Sequence, residues 1–221
     1  MFALGFGVNL LDMEKCCGVA MIANGLADGA SKHAKHNVAV LQKAVDKNMK
    51  ILTTSSTCVL TMRDEYPDLL KVDNSGLRDS LALATKFIYS LIDSGKVKLA
   101  FKKDYKARIA YHTPCHLERL GWGVFSTALI KMIPGVEFTL LDSNCCGISG
   151  TYGFKKENYD ASQAIGKPLL DQIGNVAPDF VACDCETCKW QIEMSTGFTV
   201  KNPISILAEA LDLEATAALN H

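Results

Sequence analysis

The triplet Cys-Cys-Gly occurs twice in this chain, at Cys16–Cys17–Gly18 and at Cys145–Cys146–Gly147, and each copy opens a segment of similar plan. "CCGVAMIANGLADGASKHAKHNVAVLQKAV" and "CCGISGTYGFKKENYDASQAIGKPLLDQI" both continue into a helix-like stretch, a short apolar strand and a further cysteine, Cys58 in one and Cys185 in the other. The doublets stand 129 residues apart and the later cysteines 127, so the register holds to within two residues across the unit. A duplicated unit restricts the fold to two copies of one plan. Two domains are expected, 1–100 and 101–221, joined across the lysine-rich stretch "GKVKLAFKKDYKA" at 95–107.

The local pattern reads as α/β. "GLADGASKHAKHNVAVLQKAVDKNM" (25–49) places Val38, Leu41 and Val45 at helical spacing. "KILTTSS", "ARIAYHTP", "GVEFTLLD" and "PDFVAC" are short β-rich runs bounded by turn residues. "SGLRDSLALATKFIYSLIDSGK" reads as a helix capped by Ser75 and stopped at Gly95. Alternating elements favour a short, mostly parallel sheet flanked by helices in each unit, and the duplication implies pseudo-two-fold symmetry between the units. The cysteines then fall just after strand ends, where open α/β sheets carry their sites.

Nine cysteines stand out in a 221-residue chain. An odd count in a long chain with no export signal argues against a disulfide framework and for metal binding or redox chemistry in a reducing compartment. The opening "MFALGFGVNLLDMEK" is apolar but has no basic leader or cleavage site, and it reads as the start of a piece cut from something longer. A net charge of −1 gives no general attraction to nucleic acid or anionic lipid.

In the second half, Cys115 is followed after 29 residues by the doublet and after 37 more by Cys185-Glu-Thr-Cys188. A CxxC pair puts two thiols on one turn, a geometry used by zinc and iron–sulfur sites alike. Neighbouring cysteines rarely pair with each other, because the ring strains the peptide between them. They serve one ion poorly, whereas each can give a sulfur to a different iron, and Gly147 lets the backbone approach closely. The doublet therefore favours a multi-iron cluster over a single zinc ion. Cys183, inside an apolar strand, is expected to be a core residue. His112 and His116 flank Cys115 and, with Gly147, are read as groups supporting the metal rather than ligands to it. His33 and His36 are read as solvated. The glycines after each doublet lack the G-x-G-x-x-G or P-loop pattern, and no nucleophile elbow occurs.

The order C…CCG…CxxC, twice per chain, resembles the cysteine-rich CCG domain found in the B subunit of heterodisulfide reductase, in glycolate oxidase iron–sulfur subunits and in lactate-utilisation proteins. "AYHTPCHLERLG", "LLDSNCCGISGTYGFKKENYDAS", "DCETCKWQIEMSTG" and "TTSSTCVLTMRDEYPDLL" are most similar to the C-terminal part of the C-subunit family of anaerobic glycerol-3-phosphate dehydrogenases. The resemblance implies a [4Fe–4S] cluster on Cys115, Cys145, Cys146, Cys185 and Cys188, with the non-cubane form carried by the reductase relatives as one option and zinc as the alternative cofactor. It implies electron transfer from flavin-containing dehydrogenase subunits to menaquinone or another quinone, with peripheral attachment at the cytoplasmic face of the inner membrane. Thr61 stands where the first unit would need the partner of Cys188, so Cys16, Cys17 and Cys58 form at most an incomplete second site. A zinc-stabilised docking protein and a thiol–disulfide oxidoreductase using Cys185 and Cys188 are the competing functions.

Overall fold

The computed structural model describes residues 1–220. It is α/β, with two small parallel sheets flanked by helices. In the first half, β1 (Ile51–Thr53) pairs in parallel with β2 (Leu81–Leu83). The second half has β3 (Ala107–His112), β4 (Val136–Leu140), β5 (Phe180–Cys183) and β6 (Val200–Lys201) in the order β4-β3-β5-β6, all parallel. The central β5, "FVAC", is buried throughout, and β3 is buried at every position but Arg108. Such uninterrupted burial is expected of inner strands covered on both faces. Edge strand β4 is half-buried or exposed.

The connection after β3 leads to one side of the sheet and that after β5 to the other. The strand order therefore reverses between β3 and β5, and open α/β sheets form their crevice beyond the carboxyl ends at such a point. His112 and Cys183 are the last registered pair of these two strands, so both stand at the rim of that crevice.

The four strands read from sequence are present, and the long first helix spans Ala27–Val45. The helix expected from Ser75 is corrected: only Ala84–Asp93 is α-helical, preceded by a short 3₁₀ turn and β2. Leu81 and Leu83 alternate inward, and pairing with β1 satisfies backbone that a helix would have satisfied internally. Gly95 ends the helix region with φ +69°, as expected of a stop. His33 and His36 are not simply solvated. Their rings contact the Cys16 and Met13 carbonyls at 3.2 and 2.6 Å, tying the N-terminal segment to the first long helix.

The larger apolar core draws on both halves, with Ile88, Leu91, Leu129, Ile130 and Ile206 in one cluster. A smaller one under the second-half cysteines contains Ile148, Leu169, Ile173 and Ile192. Among the described residues, no helix is long and apolar enough to cross a membrane.

Candidate metal centre

Three βα loops of the second sheet end on cysteines. Cys115 is the first residue of the helix Cys115–Leu120 that follows β3, after Pro114 in extended conformation. Cys185 occupies the extended N-cap position of the helix Glu186–Thr196 after β5, and Cys188 lies within its first turn. The doublet comes from the loop after β4, and its shape depends on Gly147 at φ +88°. A Cβ there would collide with the carbonyl oxygen of Ser162 and stand 2.9 Å from the Gly166 nitrogen. The bare backbone thus lies directly on the helix Tyr159–Val176, held by a 2.9 Å bond from Ser162 Oγ to the Gly147 carbonyl. Gln191 Nε2 donates to the same Ser162 hydroxyl at 3.0 Å, which locks the CxxC helix to the doublet loop.

The two sulfurs of the doublet point to different places. Cys146 is buried, with its Sγ 3.2 Å from that of Cys188, whereas Cys145 is exposed and accepts the Gly147 N–H at 3.3 Å. Around them is a cavity of about 240 Å³ whose wall includes Cys115, Cys145, Cys146, Cys185 and Cys188. The opposite wall comes from the first half of the chain through Val19, Ile22, Thr57 and Glu65. All nine cysteines are free thiols.

The electrostatics separate the thiols. The Cys188 thiol beside Cys185, together with the Thr187 and Thr57 hydroxyls 3.3 Å from its sulfur, holds Cys185 well below the ordinary thiol range. Burial, followed by the neighbouring charges of Cys145 and Cys185, pushes Cys115 up. A hydrogen bond to Cys146 keeps the proton on Cys145. One site thus offers a ready thiolate beside thiols that still carry protons, and metal binding would release those protons.

His112 lines the cavity, completely enclosed, and neither ring nitrogen has a hydrogen-bond partner. Burial drives its pKa down to about 4, so the ring is neutral. His112, Cys183 and Cys188 present ligand atoms within 4.8 Å of one another. Cys183 is buried, as the sequence suggests, but it faces donor atoms rather than hydrocarbon alone. His116 Nδ1 lies 2.8 Å from Thr57 Oγ1 and so reaches Cys185 only through that hydroxyl.

Cys16, Cys17 and Cys58 also come together. Cys17 is in side-chain contact with both others, and its thiol lowers Cys16 to about 5 with help from the Gly18 amide and His33. Thr61 does not join them, since its hydroxyl donates to the Glu65 carboxylate at 2.7 Å.

Sequence reasoning overlooked Thr57, Glu65 and Asp184. Asp184, between Cys183 and Cys185, is enclosed and raised to about 6 by burial. Its carboxylate accepts from Tyr111 at 2.5 Å and Ser126 at 3.0 Å. Its carbonyl accepts from the Ser56 N–H at 2.8 Å and the Ser56 hydroxyl at 3.0 Å. The only signal in the sequence was a carboxylate inside an otherwise apolar strand end.

Comparison with known proteins is consistent with this geometry. The profile of the CCG family, a cysteine-rich domain, matches residues 2–63 and 109–193. The chain is 53% identical over 210 residues to the C subunit of the anaerobic glycerol-3-phosphate dehydrogenase of Escherichia coli (strain K12), covering 95% of this chain and 52% of that protein. It is 29% identical over 195 residues to the B subunit of the fumarate reductase (CoM/CoB) of Methanothermobacter marburgensis, covering 86% of this chain and 36% of the relative. An uncharacterized iron-sulfur protein of Methanocaldococcus jannaschii is 26% identical over 222 residues, 95% of this chain and 42% of its own. The chain spans about half the length of the E. coli relative.

Proposed function

Because the chain belongs to the CCG cysteine-rich domain family, we propose that it is an iron–sulfur electron-transfer module whose cluster is held by Cys115, Cys145, Cys146, Cys185 and Cys188. The observation that carries this reading is the placement of all five thiols on the wall of one cavity closed by the other half of the chain. The donor set fits the group. Soft thiolates suit iron, Cys185 is already stabilised in ionised form, and the Gly147 amide and the Thr57 and Thr187 hydroxyls stand beside sulfur. A [4Fe–4S] cluster there, cubane or non-cubane, would supply one-electron transfer between a two-electron flavin on a partner protein and a quinone. The protein's residues would hold the cluster sulfurs by ligation and hydrogen bonds, while Val19, Ile22 and Ile148 keep water from the inner wall.

The similarity to the E. coli dehydrogenase component supports dehydrogenase subunits as electron donors, menaquinone or another quinone as acceptor, and peripheral association with the cytoplasmic face of the inner membrane. In this reading substrate oxidation belongs to the partners. Residues 1–100 and 101–221 would be two units related by a pseudo-two-fold axis. Three contacts support that relation: Asn24 with Thr151, Ser56 with Asp184 and Thr57 with Cys185 pair positions 127 or 128 residues apart, matching the offset of the repeat. Residues close to a two-fold axis meet their own counterparts. The trio Cys16, Cys17 and Cys58 would be a secondary site, with Thr61 in place of a fourth thiol.

The test is iron and sulfide analysis of protein prepared without oxygen. The wild-type chain should bind iron and sulfide together. Cys146→Ser exchanges a soft thiolate for a poorly ionised hydroxyl and should lose most of both, while Cys17→Ser should retain them. Equal loss from the two variants, or no sulfide in the wild type, would overturn the assignment.

A further inference from the structure

The tightest donor group in the molecule is not the five-thiol set. His112, Cys183 and Cys188 place one ring nitrogen and two sulfurs within 4.8 Å of one another, all three residues buried. Two of these residues, His112 and Cys183, lie outside the C…CCG…CxxC pattern. They are the last paired residues of β3 and β5, so the backbone ladder fixes their separation. Cys146 adds a third sulfur, 3.2 Å from Cys188 Sγ. Cys185 is the poorer fourth donor, because the hydroxyls of Thr57 and Thr187 occupy the space beside its sulfur.

His112 supplies the independent sign that a ligand belongs here. An imidazole enclosed this fully, with neither nitrogen hydrogen-bonded, loses its solvation without compensation. A neutral ring with a free lone pair is the form that coordinates a metal. A tetrahedral centre with metal–sulfur bonds near 2.3 Å and a metal–nitrogen bond near 2.0 Å needs its donors about 3.3–3.8 Å apart. The observed group meets this with small side-chain adjustments.

We infer that His112, Cys146, Cys183 and Cys188 form a mononuclear site for one thiophilic divalent cation of the zinc class, nested behind the five-thiol cavity. Binding replaces the thiol protons: the cation gains three thiolates and one neutral imidazole, and each thiol gives its proton to solvent. Cys146 and Cys188 belong to both donor sets, so the single ion and a cluster on the five thiols exclude each other. Cys115 and Cys145 take no part in the mononuclear site.

The test uses the full chain, reduced and stripped of metal and cluster, so its outcome does not depend on whether the five thiols hold a cluster. Cobalt(II) is titrated as a spectroscopic stand-in and then displaced by zinc. One cobalt per chain should bind with the visible absorption of a tetrahedral thiolate site. His112→Phe and Cys183→Ala should each weaken binding at least tenfold, whereas Cys115→Ser and Cys145→Ser should leave it within about twofold. A measurement on the unaltered chain guards against variants that fail to fold: zinc should slow alkylation of Cys146, Cys183 and Cys188 under mild denaturant and leave Cys115 and Cys145 unchanged. Loss of cobalt binding in Cys115→Ser or Cys145→Ser, or zinc protection at those two thiols in place of Cys183, would overturn the inference.

Discussion

Replacing Gly147 with alanine adds one methyl group to a backbone held at φ +88°. Left-handed backbone costs an L-residue about 1–2 kcal/mol wherever it occurs. At Gly147 the methyl also meets the Ser162 carbonyl and the Gly166 nitrogen, both main-chain atoms of a helix that cannot swing aside. Overpacking of that kind adds about 1–3 kcal/mol, for a total of about 2–5 kcal/mol. Two other glycines calibrate the argument. Gly197 has φ +74° with nothing within 4 Å of where a methyl would stand, and Gly18, at φ +97°, would meet only the Ala30 side chain and backbone from 3.4 Å outward. Gly18→Ala and Gly197→Ala should therefore show the backbone cost alone. Urea unfolding of the reduced, metal-free chain gives the three values side by side, and thermal midpoints should fall about 2–4 °C per kcal/mol. The glycines of the two Cys-Cys-Gly triplets should separate clearly, Gly147 being the intolerant one. Equal losses at Gly18, Gly147 and Gly197 would refute the reasoning, since the collision would then contribute nothing.

Asp184 makes stability depend on pH. Its folded pKa of about 6 exceeds the ordinary 3.8, so its contribution is complete below about 4 and is lost as pH rises through 6. The wild type should lose up to about 3 kcal/mol relative to Asp184→Asn between pH 4 and pH 7, read from paired denaturant curves; a constant difference would argue against a raised pKa. Tyr111→Phe removes the 2.5 Å donor to that carboxylate and should cost about 1–3 kcal/mol near neutral pH, checked by the same melts. Thr57→Val removes a hydroxyl 3.3 Å from the Cys185 sulfur. If a cluster is bound there, its reduced and more negative state loses the greater stabilisation, and the potential should fall by about 40 mV, the one-electron equivalent of a ~1 kcal/mol hydrogen bond. A redox titration that finds no change would remove Thr57 from the site.

The strands that build the second sheet were legible because each is a short apolar run between turn residues, as "ARIAYHTP" and "PDFVAC" illustrate. β2 was not, because "LALATKFIYSLI" satisfies a helical period as well as an alternating one, and only the presence of β1 alongside decides for Leu81–Leu83. The five spaced thiols were legible from cysteine spacing alone. What surrounds them was not. Thr57 reaches Cys185 from the other half of the chain, a contact across 128 residues. Cys183 looks like any core cysteine until His112 is found opposite it on β3. His112 itself gave no hint of being stripped of partners, because isolation of a side chain is a property of packing and leaves no mark on its neighbours in sequence.

The pairing of His112 with Cys183 across β3 and β5 has a bearing on how such a centre can vary. Cys115, Cys145 and Cys185 sit on loops or at helix starts, where insertions and altered turns can move a sulfur without disturbing the sheet. His112 and Cys183 are rungs of a ladder whose strand spacing of about 4.8 Å is set by main-chain hydrogen bonds, and a slip of one residue would turn either side chain to the opposite face. The inner donors are therefore inherited with the architecture, whereas the outer thiols remain adjustable. Chemistry at the rim can be retuned by small loop changes, but the innermost pair can be lost only by substitution or by dismantling the sheet.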